Sequence, residues 1–384
     1  MPDSRKVTAI VFEGGQVGHA LADPILRVRS AVALDTLGRL AALPEVAQVV
    51  VCSDRPEVVA GARQLGLAVE EQPAGPFHFG RWLQAIVLRR LPEAVLYLGG
   101  ASAPLMTSAD LTAAVGLLTW GGPRVVANNP QSPDVIGFYP ASLLARLEPP
   151  PTDNALGLAL RGLGVEHVLM PAAGHANFDL DTPTDLILYR EILRADQAAG
   201  SRQFTAGALT RQALEALDWQ LPGWDEALRQ LRQPFADVVI AGRVGAPLLS
   251  HLNQRYTLRL RVFSEERGMK ALGREEQGLV RTLLGSYLED VGARRFFERL
   301  AEVAEVALID TRPLFAQGGR RVSEMDRFAS DLGLVDLIAD PFVAEFTEAA
   351  REAALPVILG GHSLVSGGLW ALLDYVVHPV AAKV

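Results

Sequence analysis

The chain has 384 residues, 49% hydrophobic and 21% charged, with a formal net charge of −8. That length exceeds one ordinary core and points to two globular domains, while the negative balance opposes a nucleic-acid scaffold. No apolar run approaches about 18 residues, so no membrane span is expected, and the single cysteine, Cys52, excludes an intrachain disulfide or a cysteine-based zinc site.

The opening Met-Pro-Asp-Ser-Arg-Lys does not read as a signal peptide, and a cytoplasmic location is expected. In chain order, Val7–Phe12, Gln48–Cys52, Ala68–Glu71, Ala94–Leu98, Arg124–Ala127 and His167–Met170 read as short buried strands. Between them Ser30–Leu43, Pro56–Leu65, Trp82–Leu91, Ser108–Thr119 and Asn154–Leu163 carry helical spacing. This alternation predicts an α/β domain over residues 1–195, built on a mainly parallel sheet covered on both faces. Ile136–Tyr139 adds a strand of different direction, and a helix from Asp181 to about Ala195 closes the unit.

Residues 196–204 are polar and unpatterned, and 196–235 read as a linker with helices interrupted at Leu221-Pro222-Gly223. A second α/β domain is expected from 236 to 384. Its strands are Asp237–Ala241, Thr257–Phe263, Val306–Asp310 and Pro356–Leu359; its helices are Glu275–Val291, Ala293–Val303 and Phe342–Ala354.

The densest polar signal is Asn177–Leu188, Asn-Phe-Asp-Leu-Asp-Thr-Pro-Thr-Asp-Leu-Ile-Leu. Pro183 suits the first helical position, Asp181 is placed to cap that helix, and Asp179 has oxygens to offer a divalent cation. The plainer reading is a capped helix with a surface Asp. Asp-x-Asp-Thr-Pro-x-Asp-Leu resembles the second metal-binding motif of nucleotidyltransferases with the GT-A-like, nucleotide-diphospho-sugar fold. Val7–Gly15 is similar to the opening strand and glycine turn of that fold, Asp35–Leu37 with Val49–Val58 to its second strand region, and Leu96–Thr107 to its central strand and metal-binding turn. Within the fold, the 2-phospholactate and molybdenum-cofactor guanylyltransferases are the nearest in pattern.

The resemblance implies transfer of a nucleoside monophosphate from a nucleoside triphosphate to a small anionic acceptor, with Mg2+ offsetting the developing charge. It puts Gly14 and Gly15 against the phosphates, His78 near the base or ribose, and Asn128, Asn129 and Asp134 near the acceptor. Asp179 would be the catalytic metal ligand, while Ser102 or Ala101 stands where the first metal carboxylate is usual. Gln16-Val17-Gly18-His19 follows the glycines in place of the usual Arg and Lys. Asn-Pro and Ser-Pro-Asp in Asn128–Asp134 are also ordinary turn chemistry. Two other functions compete: a non-catalytic nucleotide- or metabolite-binding protein, and a hydrolase or lyase acting on a phosphorylated compound in the C-terminal half. Oligomerisation is left open.

In that half, three expected strands end in Gly242-Arg243, Asp310-Thr311-Arg312 and Gly360-Gly361-His362-Ser363. If the strands are parallel, Arg243, Asp310, Arg312 and His362 meet at one edge, where α/β sheets bind ligands. The two arginines would clamp a small anion, Gly360-Gly361 would cradle it, and Asp310 would orient a partner or act as base. The alternative is that Asp and Arg at the strand ends pair and lock loops. Runs 264–269 and 326–331, mixing acids with Arg, are further candidates to line the crevice.

Overall fold

Seven segments rich in Val, Ile and Leu pair into one sheet: β1 (Val7–Glu13), β2 (Val46–Ser53), β3 (Ala68–Glu70), β4 (Ala94–Gly99), β5 (Arg124–Ala127), β6 (Val135–Tyr139) and β7 (Glu166–Leu169). The computed structural model describes residues 5–15, 18–72, 76–131, 133–171, 174–201, 203–204 and 206–377. Outside these lie Gln16 and Val17 of the first turn, Gly75 of the His78 loop and Ser132 of the Asn-Pro cluster.

The strand order is β3-β2-β1-β4-β6-β5-β7, and β6 alone runs antiparallel to its neighbours. Almost every residue of β1 and β4 is buried, as expected when helices cover both faces of a parallel sheet. The associated helices are α1 (Ala22–Ala41), α2 (Pro56–Gln64), α3 (Phe79–Arg90), α4 (Ser108–Thr119) and α5 (Leu156–Arg161). Helix α1 thus starts at Ala22, not Ser30. Thr107 and Asp110 cap α4 reciprocally, which fixes where the chain turns back after β4.

Downstream come α6 (Pro183–Ala198), α7 (Ala208–Glu215), α8 (Trp224–Leu231), β8 (Asp237–Gly242), α9 (Ala246–Arg255) and β9 (Arg259–Ser264). They are followed by α10 (Leu283–Val291), α11 (Ala293–Ala301), β10 (Val306–Asp310), α12 (Thr311–Phe315), α13 (Glu324–Asp331), α14 (Pro341–Arg351), β11 (Val357–Gly360) and α15 (Gly367–Ala371). The four strands form a wholly parallel sheet ordered β11-β10-β8-β9. Phe296, Phe297, Phe315 and Phe346 fill its core together with the inward residues of β8, β10 and β11.

The expected helix Glu275–Val291 begins only at Leu283. Gly273 and Gly278 take positive φ values of 62° and 67°, and 265–282 folds as successive turns. Arg274 donates twice to Glu266 at 2.8 Å, and the Arg281 N–H donates to the same carboxylate at 3.0 Å, closing that segment.

The chain divides into two compact units. The first comprises the described residues of Met1–Val17, Leu26–Ala172 and Phe204–Ala213; the second, those of Gly18–Ile25, Ala173–Gln203 and Leu214–Val384. Helix α6 therefore belongs to the second unit, where Thr184 Oγ1 donates to the Leu359 carbonyl of β11 at 2.7 Å. It also continues through Ala198, into the stretch read as linker. Among the described residues no helix is long and apolar enough to cross a membrane.

Candidate functional site

Each sheet has a point where successive strands depart to opposite sides, and the crevice outside the carboxyl ends of those strands is the usual ligand site. In the first unit this point lies between β1 and β4, which pair in parallel with Phe12 opposite Gly99. Gly14-Gly15 follows β1, and Gly99-Gly100 ends β4. Gly15 is exposed at φ 139°, a conformation closed to other residues. A Cβ on Gly100 would stand 2.8 Å from the Cβ of Glu13, so the two turns are interlocked.

Glu13 ties them chemically. Its buried carboxylate accepts from Arg29 Nε and from the Ala101 N–H, each at 3.0 Å. Asp54, after β2, accepts from the Gly15 N–H at 3.3 Å, and Arg55 Nη1 donates to the Gly15 carbonyl at 3.5 Å. Ser102, in the turn after β4, and Asn128 and Asp134, between β5 and β6, lie at this same edge by register.

Several of these residues make local bonds of the kind that turns and helix caps use. His78 is the N-cap of α3, its Nδ1 accepting from the Arg81 N–H at 3.4 Å. Asn128 accepts from the Val135 N–H at 3.2 Å, and Asn129 accepts from the Gln131 N–H at 2.9 Å, which is turn locking. Asp179 lies in the second unit, with its N–H donated to Ser363 Oγ at 3.0 Å. Among the described residues no group of three His, Cys, Asp or Glu is arranged to hold a metal. Glu13 accepts from Arg29 and Ala101, Asp54 accepts from the Gly15 N–H, and Ser102 brings no charge.

In the second unit the reversal falls between β8 and β10. Gly242 ends β8 at φ 120°, and a Cβ there would meet the Cβ of Asp310 at 2.4 Å; glycine lets the two strand ends close. Asp310, fully buried, accepts from Arg243 Nε at 2.7 Å, Arg243 Nη2 at 3.0 Å and the Arg243 N–H at 3.1 Å. Burial alone would raise this carboxyl, but the guanidinium outweighs it and holds Asp310 below the usual range. Arg312 is engaged by Glu275 at 2.9 Å. Both arginines expected to clamp an anion are thus held by carboxylates.

His362 follows β11 beside this pair. Burial, then the Arg243 charge, push its imidazole down to about 4 against the opposing pull of Asp310, so it is neutral at pH 7. Gly360 ends β11 and Gly361 leads into a short turn. The 3-10 turn that follows has four residues, and a Cβ on Gly361 would meet Thr182 Cγ2 at 2.7 Å, so glycine here admits the start of α6. That helix is capped by Thr182 and Asp185 rather than by Asp181.

Four further groups stand in this unit: Arg267 and Asp331 belong to the two runs read as candidates to line the crevice, Asp185 to the Asp-Thr-Pro-Thr-Asp motif, and Lys270 alone was not singled out. Lys270 lies 3.9 Å from Asp181 and is depressed by burial and by Arg312. Arg267, from the turn segment after β9, is depressed by burial. Asp185 is buried, and burial followed by the Asp181 charge raises it to about 7. Asp331, at the end of α13, is raised by burial and then by Asp185. Lys270 carried one signal, as one of three lysines in a chain that otherwise uses arginine. The two aspartates stood in runs already singled out, but their burial was not legible, since Asp at a helix start or end is ordinarily exposed.

No protein-family model matches the chain, and no curated protein matches it in sequence. Several solved structures are similar to about half of it. A CMP:2-keto-3-deoxy-manno-octonic acid synthetase complexed with CTP matches 50% of this chain and 99% of its own, at 14% identity and TM-score 0.37. A cytidylyltransferase from Leptospira borgpetersenii covers 55% and 93%, at 17% identity and TM-score 0.39. A 4-diphosphocytidyl-2C-methyl-D-erythritol synthase from Anaerococcus prevotii covers 50% and 100%, at 12% and 0.35. At these values the likeness concerns fold and carries no conclusion about activity.

Proposed function

We propose that this is a nucleotidyltransferase-like protein whose first unit receives a nucleoside triphosphate at the β1/β4 edge. One observation carries the reading: two glycine turns, Gly14-Gly15 and Gly99-Gly100, end the strands that flank the reversal point of a doubly wound sheet. Glycine lets a phosphate chain approach the backbone closely, and Arg55, whose guanidinium is paired with Glu57 at 2.6 Å, stands at the Gly15 carbonyl of the same turn. In the transfer, an acceptor oxygen bonds to the α-phosphorus as the bond to the β-phosphate oxygen breaks, releasing pyrophosphate. Gly14 and Gly15 would hold the triphosphate, with Asp54 giving up the Gly15 N–H as the nucleotide enters. The acceptor is a small anionic metabolite.

A second reading, nucleotide binding without transfer, is favoured by the engagement of Glu13 by Arg29 and Ala101. Thermal shift with ATP, CTP, GTP and UTP separates the outcomes when paired with a pyrophosphate-release assay over a panel of small phosphorylated and carboxylated acceptors. One stabilising nucleotide, with the effect abolished in Gly15→Val, is the expected result. Pyrophosphate release supports transfer, and binding without release under every acceptor supports the second reading. Failure of all four nucleotides to stabilise the protein overturns both.

A further inference from the structure

We infer that Asp54 sets which nucleotide forms the β1/β4 edge accepts: its carboxylate holds the Gly15 N–H in place of a phosphate and repels phosphates in proportion to their charge. The inference rests on the nucleotide reading of the first unit and adds the residue that determines its selectivity.

Asp54 lies over the glycine turn rather than beside it. Its Oδ1 accepts from the Gly15 N–H at 3.3 Å, and a Cβ on Gly14 would stand 2.9 Å from that same oxygen. One carboxylate oxygen thus covers the backbone of both glycines. A phosphate oxygen accepting from the Gly15 N–H would sit about 2.7–3.2 Å from the nitrogen, in the space that Oδ1 fills. The two anions exclude each other at this donor.

The neighbouring charges leave that carboxylate unanswered. Arg55, the next residue, gives Nε and Nη2 to Glu57 Oε1 at 2.9 and 2.6 Å, and Ser30 Oγ donates to the same oxygen at 2.9 Å. The guanidinium is therefore fixed by the first turn of α2 and by α1, and it meets the glycine turn only through Nη1, 3.5 Å from the Gly15 carbonyl. Arg29 is likewise bonded to Glu13. Among the described residues no cation stands at ion-pair distance from Asp54. Two carboxylates, Asp54 and Glu57, against one guanidinium, Arg55, give the rim of the turn one net negative charge. A fixed negative charge at the phosphate donor opposes every further phosphate that the ligand carries. An asparagine amide in the same place would still accept from the Gly15 N–H, and the repulsion would be gone.

Isothermal titration calorimetry of the full chain with ATP, CTP, GTP and UTP identifies the triphosphate that binds, and its diphosphate, monophosphate and nucleoside follow in the same buffer. Asp54→Asn should bind the triphosphate about tenfold tighter than wild type, the order expected of charges about 4 Å apart near the water limit. The gain should shrink down the series, vanish for the nucleoside, and fall as KCl is added. Asp54→Ala, which removes the accepting oxygen as well, should also bind tighter. Glu166→Gln is the control: it removes an exposed charge at the amino end of β7, four strands from β1, and should match wild type. Weaker or unchanged triphosphate binding in both Asp54 variants overturns the inference, because the carboxylate is then a support of the turn. So does an equal gain for nucleoside and triphosphate. Absence of binding by wild type and both variants alike refutes the nucleotide reading itself, and this inference with it, whereas binding by wild type without a gain in Asp54→Asn refutes this inference alone.

Discussion

Replacing Asp185 with asparagine isolates a buried proton. Asp185 is 1% exposed; one oxygen accepts from the N–H groups of Asp181 and Thr182 at 3.0 and 2.8 Å, and the other has no partner. Burial and the Asp181 charge raise the carboxyl from the ordinary 3.8 to about 7. Between those two values the folded protein holds a proton that the unfolded chain has released. Stability therefore declines as pH rises through that window, and it is greatest below the unfolded value. At about 1.4 kcal/mol per unit the decline is on the order of 4 kcal/mol. His362 acts in the opposite sense. Its folded value of about 4 lies below the ordinary 6.5, so its contribution is present above 6.5 and is lost as pH falls towards 4. The wild-type profile mixes the two, and the difference between Asp185→Asn and wild type removes His362 from the comparison. Asparagine keeps the accepting oxygen and cannot ionise. Urea unfolding followed by circular dichroism from pH 4 to 8 should show the variant gaining on wild type by a few kcal/mol across this range. A difference that does not change with pH would refute the reasoning.

Arg243→Met leaves Asp310 buried without its guanidinium, and urea unfolding at pH 7 should show a loss of about 3–5 kcal/mol; a loss below 1 kcal/mol would mean that the pair is solvated. Gly361→Ala should cost about 1–3 kcal/mol through the clash with Thr182 Cγ2, and Thr182→Ser, which deletes that methyl but keeps the capping oxygen, should restore much of it in the double variant. If the double variant melts no higher than Gly361→Ala, the close approach of α6 to β11 is not what glycine serves.

The alternation of apolar strands and helices was legible because period-2 and period-3.6 patterns are local properties of the chain. Seven strands between Val7 and Leu169, the odd direction near Ile136–Tyr139, and four strands beyond 236 all follow from runs such as Val49–Cys52 and Val306–Ile309. Glycines at strand ends were legible too, as at Gly14-Gly15 and Gly242. Sequence could not assign α6, since Asp-Thr-Pro-Thr-Asp describes a capped helix start without naming its neighbours. The bond from Thr184 to Leu359 and the fit of Thr182 over Gly361 put that helix in the second unit. Nor could sequence separate closely paired cations from loosely paired ones. Arg243 and Arg312 look equal to Arg267 and Lys270 in a linear chain, and only the approach of Asp310 and Glu275 satisfies the first pair. The raised carboxyls of Asp185 and Asp331 have the same origin: a pKa responds to charges and solvent within a few ångströms, and packing brings residues 146 positions apart into each other's field.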